Sequence, residues 1–143
     1  MFNTILVPLD LNDVETSRLA LDRALNLARF ANGTIRLVYV RSVIPISVME
    51  YVPPHFDAPQ QKDAEEKLAS IAAGIELGQD RVSSTVRVGA VYNEVLQEAE
   101  KTNSDLIIVG SHRPSMAGFL LGSNASTIVR HAKCSVLVVR GSA

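Results

Sequence analysis

An α/β domain built on an open, five-stranded, mainly parallel sheet with helices on both faces is predicted by three observations. First, five short runs rich in aliphatic and β-branched residues, at 4–10, 34–40, 84–89, 105–109 and 135–140, alternate with longer segments of helical character. Second, Leu106-Ile107-Ile108-Val109 and Val136-Leu137-Val138-Val139 are unbroken apolar runs, as suits parallel strands buried on both faces. Third, residues 4–40 read as strand, helix and strand with tight connections, a unit that forces parallel pairing and a right-handed crossover.

Thr4-Ile5-Leu6-Val7-Pro8-Leu9-Asp10 is a strand that stops at proline and acid. An amphipathic helix is expected from about Val14 to Asn32, with Leu21, Ala24, Leu25 and Ala28 inward and Arg18, Asp22, Arg23 and Arg29 mostly outward. Gly33 is expected to end it before the second strand, Thr34 to Val40. From Arg41 to Gln60, Pro45, Pro53, Pro54 and Pro59 interrupt any regular element, and the apolar residues between them read either as a flap over a ligand or as an interaction surface. An Ala-, Glu- and Lys-rich helix from about Gln61 to Leu77 ends at Gly78. Ser84 to Gly89 is expected as a third, interior strand, Asn93 to Lys101 as a short helix, and Asp105 to Val109 as the fourth strand. Gly122-Ser123-Asn124 then opens a helix reaching Ala132, and Ser135 to Arg140 is the fifth strand.

A length of 143 residues with 47% hydrophobic composition fits one domain spanning 1–143. Fourteen basic against fifteen acidic side chains, a formal charge of −1, argue against a surface built to bind nucleic acid. Cys134 is the single cysteine, so an intrachain disulfide or a CxxC metal knuckle is excluded and a reducing, cytoplasmic setting is expected. The apolar stretch Thr4–Leu9 is too short for a signal peptide, and no run reaches membrane-spanning length, so the domain is not expected to be membrane-embedded.

The stretch from Val109 to Asn124 carries the chemistry. It reads as a strand delivering Gly110 to the carboxyl edge of the sheet, a loop, and a helix start whose free N–H groups and positive dipole end attract phosphate. Gly110 and Gly122 permit positive φ or a close ligand approach, while Ser123 and Asn124 offer side-chain hydrogen bonds. Taken singly, both glycines read as turn residues and Asp10 as a helix cap or turn acid. Their pairing on one sheet edge, where open α/β sheets bind ligands, favours a nucleotide. Arg113 is the only arginine of an otherwise nearly uncharged loop and reads as a phosphate contact or a solvated surface group. His112 stacks, hydrogen-bonds or merely covers the loop, since no second ligand stands at metal spacing. His131, late in a helix, is explained by the helix dipole. Cys134 reads as a packed thiol, with Lys133 leaving room for reactivity.

Three features together resemble the universal stress protein family: the opening Ile5-Leu6-Val7-Pro8-Leu9-Asp10, the Gly110 to Ser123 segment, and the closing Cys134 to Arg140. The resemblance covers essentially the whole chain. It implies a Rossmann-like, adenine nucleotide alpha hydrolase-like sheet of strand order 3-2-1-4-5. ATP-binding members carry Gly, two residues, Gly, nine residues, then Gly with Ser or Thr. Here Gly110 and Gly122-Ser123 match, Arg113 replaces the middle glycine, and the following spacer is one residue shorter. The family relation places Pro8 and Asp10 at the ribose or at a metal on the triphosphate, and Val40 beside adenine. The expected cofactor is ATP with Mg2+, the metal reached through Asp10. The expected contacts are Pro8, Leu9, Asp10, Val40, Val109, Gly110, His112, Arg113, Gly122, Ser123 and Asn124.

The function expected from these residues is an ATP-binding, stress-response regulatory switch acting on a partner or an oligomer. A slow ATPase or phosphotransfer enzyme using the same pocket is the alternative. No Walker lysine follows Gly122 and no base is clearly placed, so hydrolysis is expected to be slow and incidental at most, with no catalytic residue assigned. A receiver-like domain lacks the required acidic pair, and a flavodoxin-like one lacks aromatics for the flavin. The last strand, 135–140, is an apolar edge expected to join two copies into a homodimer. Family members also occur attached to transporters and kinases, so the resemblance implies a transporter or a signalling protein as a partner.

Overall fold

The computed structural model describes residues 2–11, 14–41, 57–111 and 122–140. In chain order these form β1 (Thr4–Leu9), α1 (Val14–Ala31), β2 (Thr34–Arg41), α2 (Asp57–Ala73), a 3-10 turn (Gln79–Arg81), β3 (Val82–Val88), α3 (Val91–Lys101), β4 (Leu106–Gly110), α4 (Ser123–His131) and β5 (Ser135–Val139). Every strand pairing is parallel, and the order across the sheet is β3-β2-β1-β4-β5. The predicted fold class is therefore observed, with the chain reversing direction at β1.

Side chains alternate across each strand, so one apolar run feeds two cores. Ile5, Val7, Leu37 and Ile108 pack against Ala20, Ala24 and Ala28 of α1 and Leu68 of α2. Leu6, Val38 and Ile107 pack the other way, against Val95 and Ala99 of α3 and Ala125 and Ile128 of α4. Burial on both faces is what removes polar residues from the β1 and β4 runs. On α1 the predicted inner face is found, but its centre is the alanine line 20-24-28, with Leu21 and Leu25 half-buried on its flank. A short side chain every turn lets the helix lie close on the sheet.

Four boundaries differ from expectation by two residues or more. Helix α2 begins at Asp57, with Pro59 inside its first turn, where the missing N–H has no helical acceptor to forfeit. It ends at Ala73 rather than Leu77; the Gly74 N–H closes it on the Ser70 and Ile71 carbonyls. Strand β3 starts at Val82, two residues early, and lies at an edge rather than in the interior. Its Ser83, Ser84, Thr85 and Arg87 suit that half-solvated place. Helix α3 starts at Val91 and not Asn93.

The opposite edge of the sheet, away from the predicted site, is fastened by polar contacts. Asp105, the acid leading into β4, accepts the backbone N–H groups of Asn3 (2.8 Å) and Thr4 (3.0 Å), tying the start of β1 to β4. Asn32, with φ 58°, makes the left-handed turn after α1 that glycine was expected to make. Gly33 serves a different need, because a Cβ there would sit 2.5 Å from the Phe2 carbonyl oxygen.

Candidate functional site

Parallel strands deliver their C-terminal residues to one edge, and the residues expected to bind nucleotide stand there: Asp10 after β1, Val40 near the end of β2, Gly110 at the end of β4, and Gly122 and Ser123 at the start of α4. Because β1 lies between β2 and β4, connections leave it in opposite directions at the β1/β4 seam. Such a seam opens a crevice above the strand ends. His112 and Arg113 lie outside the described residues, as does the 42–56 segment.

The walls of the edge are core residues. Leu9, Val40 and Val109 are buried, Leu9 in the α1–α2 core and the two valines in the α3–α4 core, so these three present backbone rather than side chain to a ligand. Pro8 is half-buried within β1. Asp10 is held by an interaction that its sequence context did not disclose: its N–H donates to Ser17 Oγ at 3.0 Å, and Ser17 is buried in the first turns of α1. This contact orients the residue that follows β1.

Gly122 is the N-cap residue of helix α4, at φ −61° and ψ 156°, and among the described residues no side-chain cap hydrogen bond is seen there. Ser123 and Asn124 are exposed at that start. The φ of Gly122 is one any residue adopts, so the positive-φ rationale for this glycine is corrected; close approach of backbone to a ligand is the rationale that stands. Gly110 is likewise a strand residue, paired in register with Val139. Between them Ser111, 2% exposed, accepts the Gly122 N–H on its carbonyl at 2.7 Å and donates its own N–H to the Val139 carbonyl at 3.0 Å. That double bond pattern fixes the start of α4 against the end of β4. First-turn N–H groups pointing outward at a helix start favour an anion.

A cavity of about 360 Å³ opens between α1 and α2, with Leu21, Leu25, Ile71 and Ile75 among its apolar lining. Leu9 and Asp10 are the predicted site residues that line it; Gly110 and the start of α4 do not. The cavity reaches the end of β1 but lies on the α1–α2 face of the sheet, whereas α4 packs on the other face.

Two charged features lie away from the edge. Glu98 of α3 is fully buried, and its carboxylate accepts Arg36 Nε at 3.0 Å and an Arg87 guanidinium nitrogen at 2.7 Å; Arg87 Nε also reaches Glu94 at 2.9 Å. Burial lowers the Arg87 pKa, but the hydrogen bonds to Glu94 and Glu98 outweigh it and leave the guanidinium above its ordinary value. This cluster clamps α3 onto the β2–β3 side of the sheet. Nothing in the local sequence marked Glu98, which falls at a helical spacing from Val95 and Ala99 that only the packed structure turns inward.

Cys134 is half-buried before β5, and burial pushes its thiol pKa up, with Asp105 adding in the same direction. Lys133, whose ammonium meets Glu100 at 2.9 Å, is engaged elsewhere. A raised folded-state pKa means that the thiol's contribution to stability is complete below the unfolded pKa and is lost as pH rises through the folded one. Alkylation by iodoacetamide at pH 8 is therefore expected to run several-fold slower in the folded protein than in the urea-unfolded chain. Equal rates would show that the thiol is not held protonated.

Comparison with known proteins agrees with this architecture. Residues 1–140 match the sequence profile described as the Universal stress protein family. Universal stress protein G of Escherichia coli O157:H7 is 34% identical over 146 residues, covering 98% of this chain and 100% of the relative. Among solved structures, that of hypothetical protein MJ0577 superposes with TM-score 0.81 at 27% identity, covering 99% of this chain and 98% of the other. A universal stress protein in complex with cAMP superposes with TM-score 0.70 at 24% identity, covering 98% of each.

Proposed function

Because the chain belongs to the universal stress protein family, we propose that it is a nucleotide-binding regulator that takes ATP with Mg2+ at the β1/β4 seam and thereby switches a partner or its own oligomeric state. The start of α4, which has no side-chain cap among the described residues and is tied by Gly122 to the end of β4 at that seam, carries this reading. The N–H groups of the first turn of α4 supply donors and positive potential for phosphate oxygens. Gly122 carries no side chain where backbone and phosphate would meet, and Ser123 adds a hydroxyl. Asp10 fits a Mg2+ that draws its remaining ligands from phosphates and water, the usual coordination of that ion. The metal, when bound, neutralises phosphate charge. The fold neighbour that holds cAMP supports a nucleotide as the ligand class.

The switch is not primarily catalytic in this reading. Gly122 is followed by Ser123 and Asn124 and not by a lysine that could follow the γ-phosphate through transfer. Assembly is proposed to use β5. Among the described residues β5 pairs with β4 alone, and Leu137 on the strand and Val129 on α4 are exposed apolar side chains beside that edge.

Thermal unfolding with Mg-ATP at ten times its dissociation constant is expected to show stabilisation of about 1.4 kcal/mol, a rise of about 5 °C for a domain of this size. Gly122→Val keeps an allowed backbone at φ −61° and should fold, yet its side chain occupies the place of closest approach, so the rise should vanish. Arg113→Ala should reduce it. An unchanged melting temperature for the wild type at millimolar Mg-ATP would refute the site.

A further inference from the structure

We infer that the cavity between α1 and α2 is a second ligand site, one that takes an aliphatic amine: a hydrocarbon chain of about eight carbons seated between the helices, with its ammonium at an acidic rim. Its occupant is not the nucleotide proposed for the strand edge, and neither site requires the other.

The gap follows from the spacing of small and aliphatic residues on the two helices. On α1 the alanine line 20-24-28 lies on the sheet, which sets Leu21 and Leu25 aside on the flank that lines the cavity. Ile71 and Ile75 line it from the other side, at and just beyond the end of α2. Ser17 on α1, and Ser70 and Gly74 on the α2 side, are small, so the elements meet without filling the space and about 360 Å³ remains. Leu11, Leu21, Leu25, Ile71 and Ile75 are each half-buried around it. Water against such a wall finds few hydrogen-bond partners, and a hydrocarbon that displaces it is stabilised by burial.

The lining selects the class of ligand. Among the described residues it holds no aromatic ring on which a nucleobase would stack, and its Leu and Ile side chains suit a flexible alkyl chain. A cavity of about 150 Å³ accommodates benzene, so one of about 360 Å³ takes roughly twice that volume, a chain of about eight to twelve carbons. Charge then chooses the head group. Two carboxylates, Asp10 and Asp22, line the cavity against one guanidinium, that of Arg18, which faces Glu15 at 3.9 Å. The surplus is negative and favours an ammonium over a carboxylate. Asp10 belongs to the strand edge as well as to the cavity. Asp22, one helical turn beyond Arg18 and exposed at the rim, lies away from that edge and is the acid that tests the head group.

The test titrates the protein with octylammonium chloride below its micelle concentration and follows the methyl resonances of the Leu, Ile and Val side chains. Octanoate and octanol serve as probes of equal chain length. Octylammonium is expected to bind about 3- to 10-fold more tightly than octanoate, the effect of exchanging attraction for repulsion at a partly exposed charge. Shifts should concentrate at Leu21, Leu25, Ile71 and Ile75 and spare the exposed Val129 and Leu137. Each methylene removed from the probe should weaken binding about 3- to 4-fold. Gly74→Leu should fold and lose the site, because a Cβ at 74 meets only the Ile71 and Ser70 carbonyl oxygens, at 3.5 and 3.7 Å, and the added side chain occupies the gap. Asp22→Lys, a change at an exposed helix position, should reverse the preference so that octanoate binds more tightly.

Equal affinities for the three probes would show a cavity without head-group choice and overturn the assigned ligand class. Shifts spread over every exposed apolar side chain, or unaltered by Gly74→Leu, would show non-specific adsorption and overturn the site. Cross-relaxation between the cavity methyls and another copy of the chain, or a segment of this chain other than those that line the cavity, would show the space filled by protein and overturn it equally. Should Gly74→Leu fail to fold, Asp22→Lys and the chain-length series decide, since a site of this kind must lose affinity with each shortening of the probe. None of these measurements uses nucleotide, so their failure leaves the nucleotide reading where it stands.

Discussion

Glu98→Ala is expected to lower stability by about 3–4 kcal/mol, a fall in melting temperature of about 10 °C or more. Glu98 is fully buried between Arg36 and Arg87, whose side chains are 24% and 21% exposed. Removing the carboxylate leaves two guanidinium groups facing each other in a partly desolvated pocket, and the loss of one partner in such a cluster costs far more than the intact cluster contributes over an apolar substitute. The cost should persist at high salt, because buried pairs are screened little. Urea unfolding should show a lower midpoint at constant slope. Glu98→Gln keeps the shape and one acceptor but turns its NH2 group toward an arginine, so an intermediate loss is expected. A loss below about 1 kcal/mol for Glu98→Ala would mean that the arginines simply turn to water and that α3 is held by its apolar contacts alone.

Gly33→Val should cost about 3 kcal/mol, at the upper end of what overpacking imposes. The Cβ of any residue at 33 would lie 2.5 Å from the Phe2 carbonyl oxygen and 3.1 Å from that of Asn3, both backbone atoms with no rotamer by which to withdraw. Relief requires the segment before β1 to move, which breaks the Thr34 N–H bond to the Asn3 carbonyl and disturbs the Asp105 contacts to Asn3 and Thr4. The same edge carries Arg81, whose guanidinium donates to the Ala28 and Gly33 carbonyls, so the end of α1 is disturbed as well. The effect should appear as a stability loss with any nucleotide affinity little changed, since the edge proposed for nucleotide lies at the other end of the strands. Near-wild-type stability would show that this terminal segment yields without consequence.

How much was legible can be argued from single residues. The strands declared themselves because burial on both faces leaves Leu106 to Val109 with no polar position, a signature that needs no knowledge of neighbours. The placement of Asp10, Gly110 and Gly122 on one edge was legible for the same reason: parallel strands all deliver their last residues to one side. The ends of α2 were misread because Pro59 is a helix breaker only when its N–H is required, and the first turn requires none. Gly33 was singled out for a conformational freedom that its position does not use, and the positive φ offered as one of two reasons for Gly122 is not adopted there. Asn32 takes the left-handed turn, and Gly122 sits at an ordinary φ.

Local chain chemistry determined the fold class, the strand–helix alternation, the polar character of β3 and the residues that a nucleotide edge would draw upon, because periodicity and turn residues act over a few positions. Tertiary packing alone decided that Glu98 is a buried counter-ion to arginines 62 and 11 positions away, that Ser17 steadies Asp10, and that Ser111 bridges β5 to α4. Those partners are chosen by which elements come to lie together, and hydrogen bonds and ion pairs between distant segments leave no periodic trace along the chain.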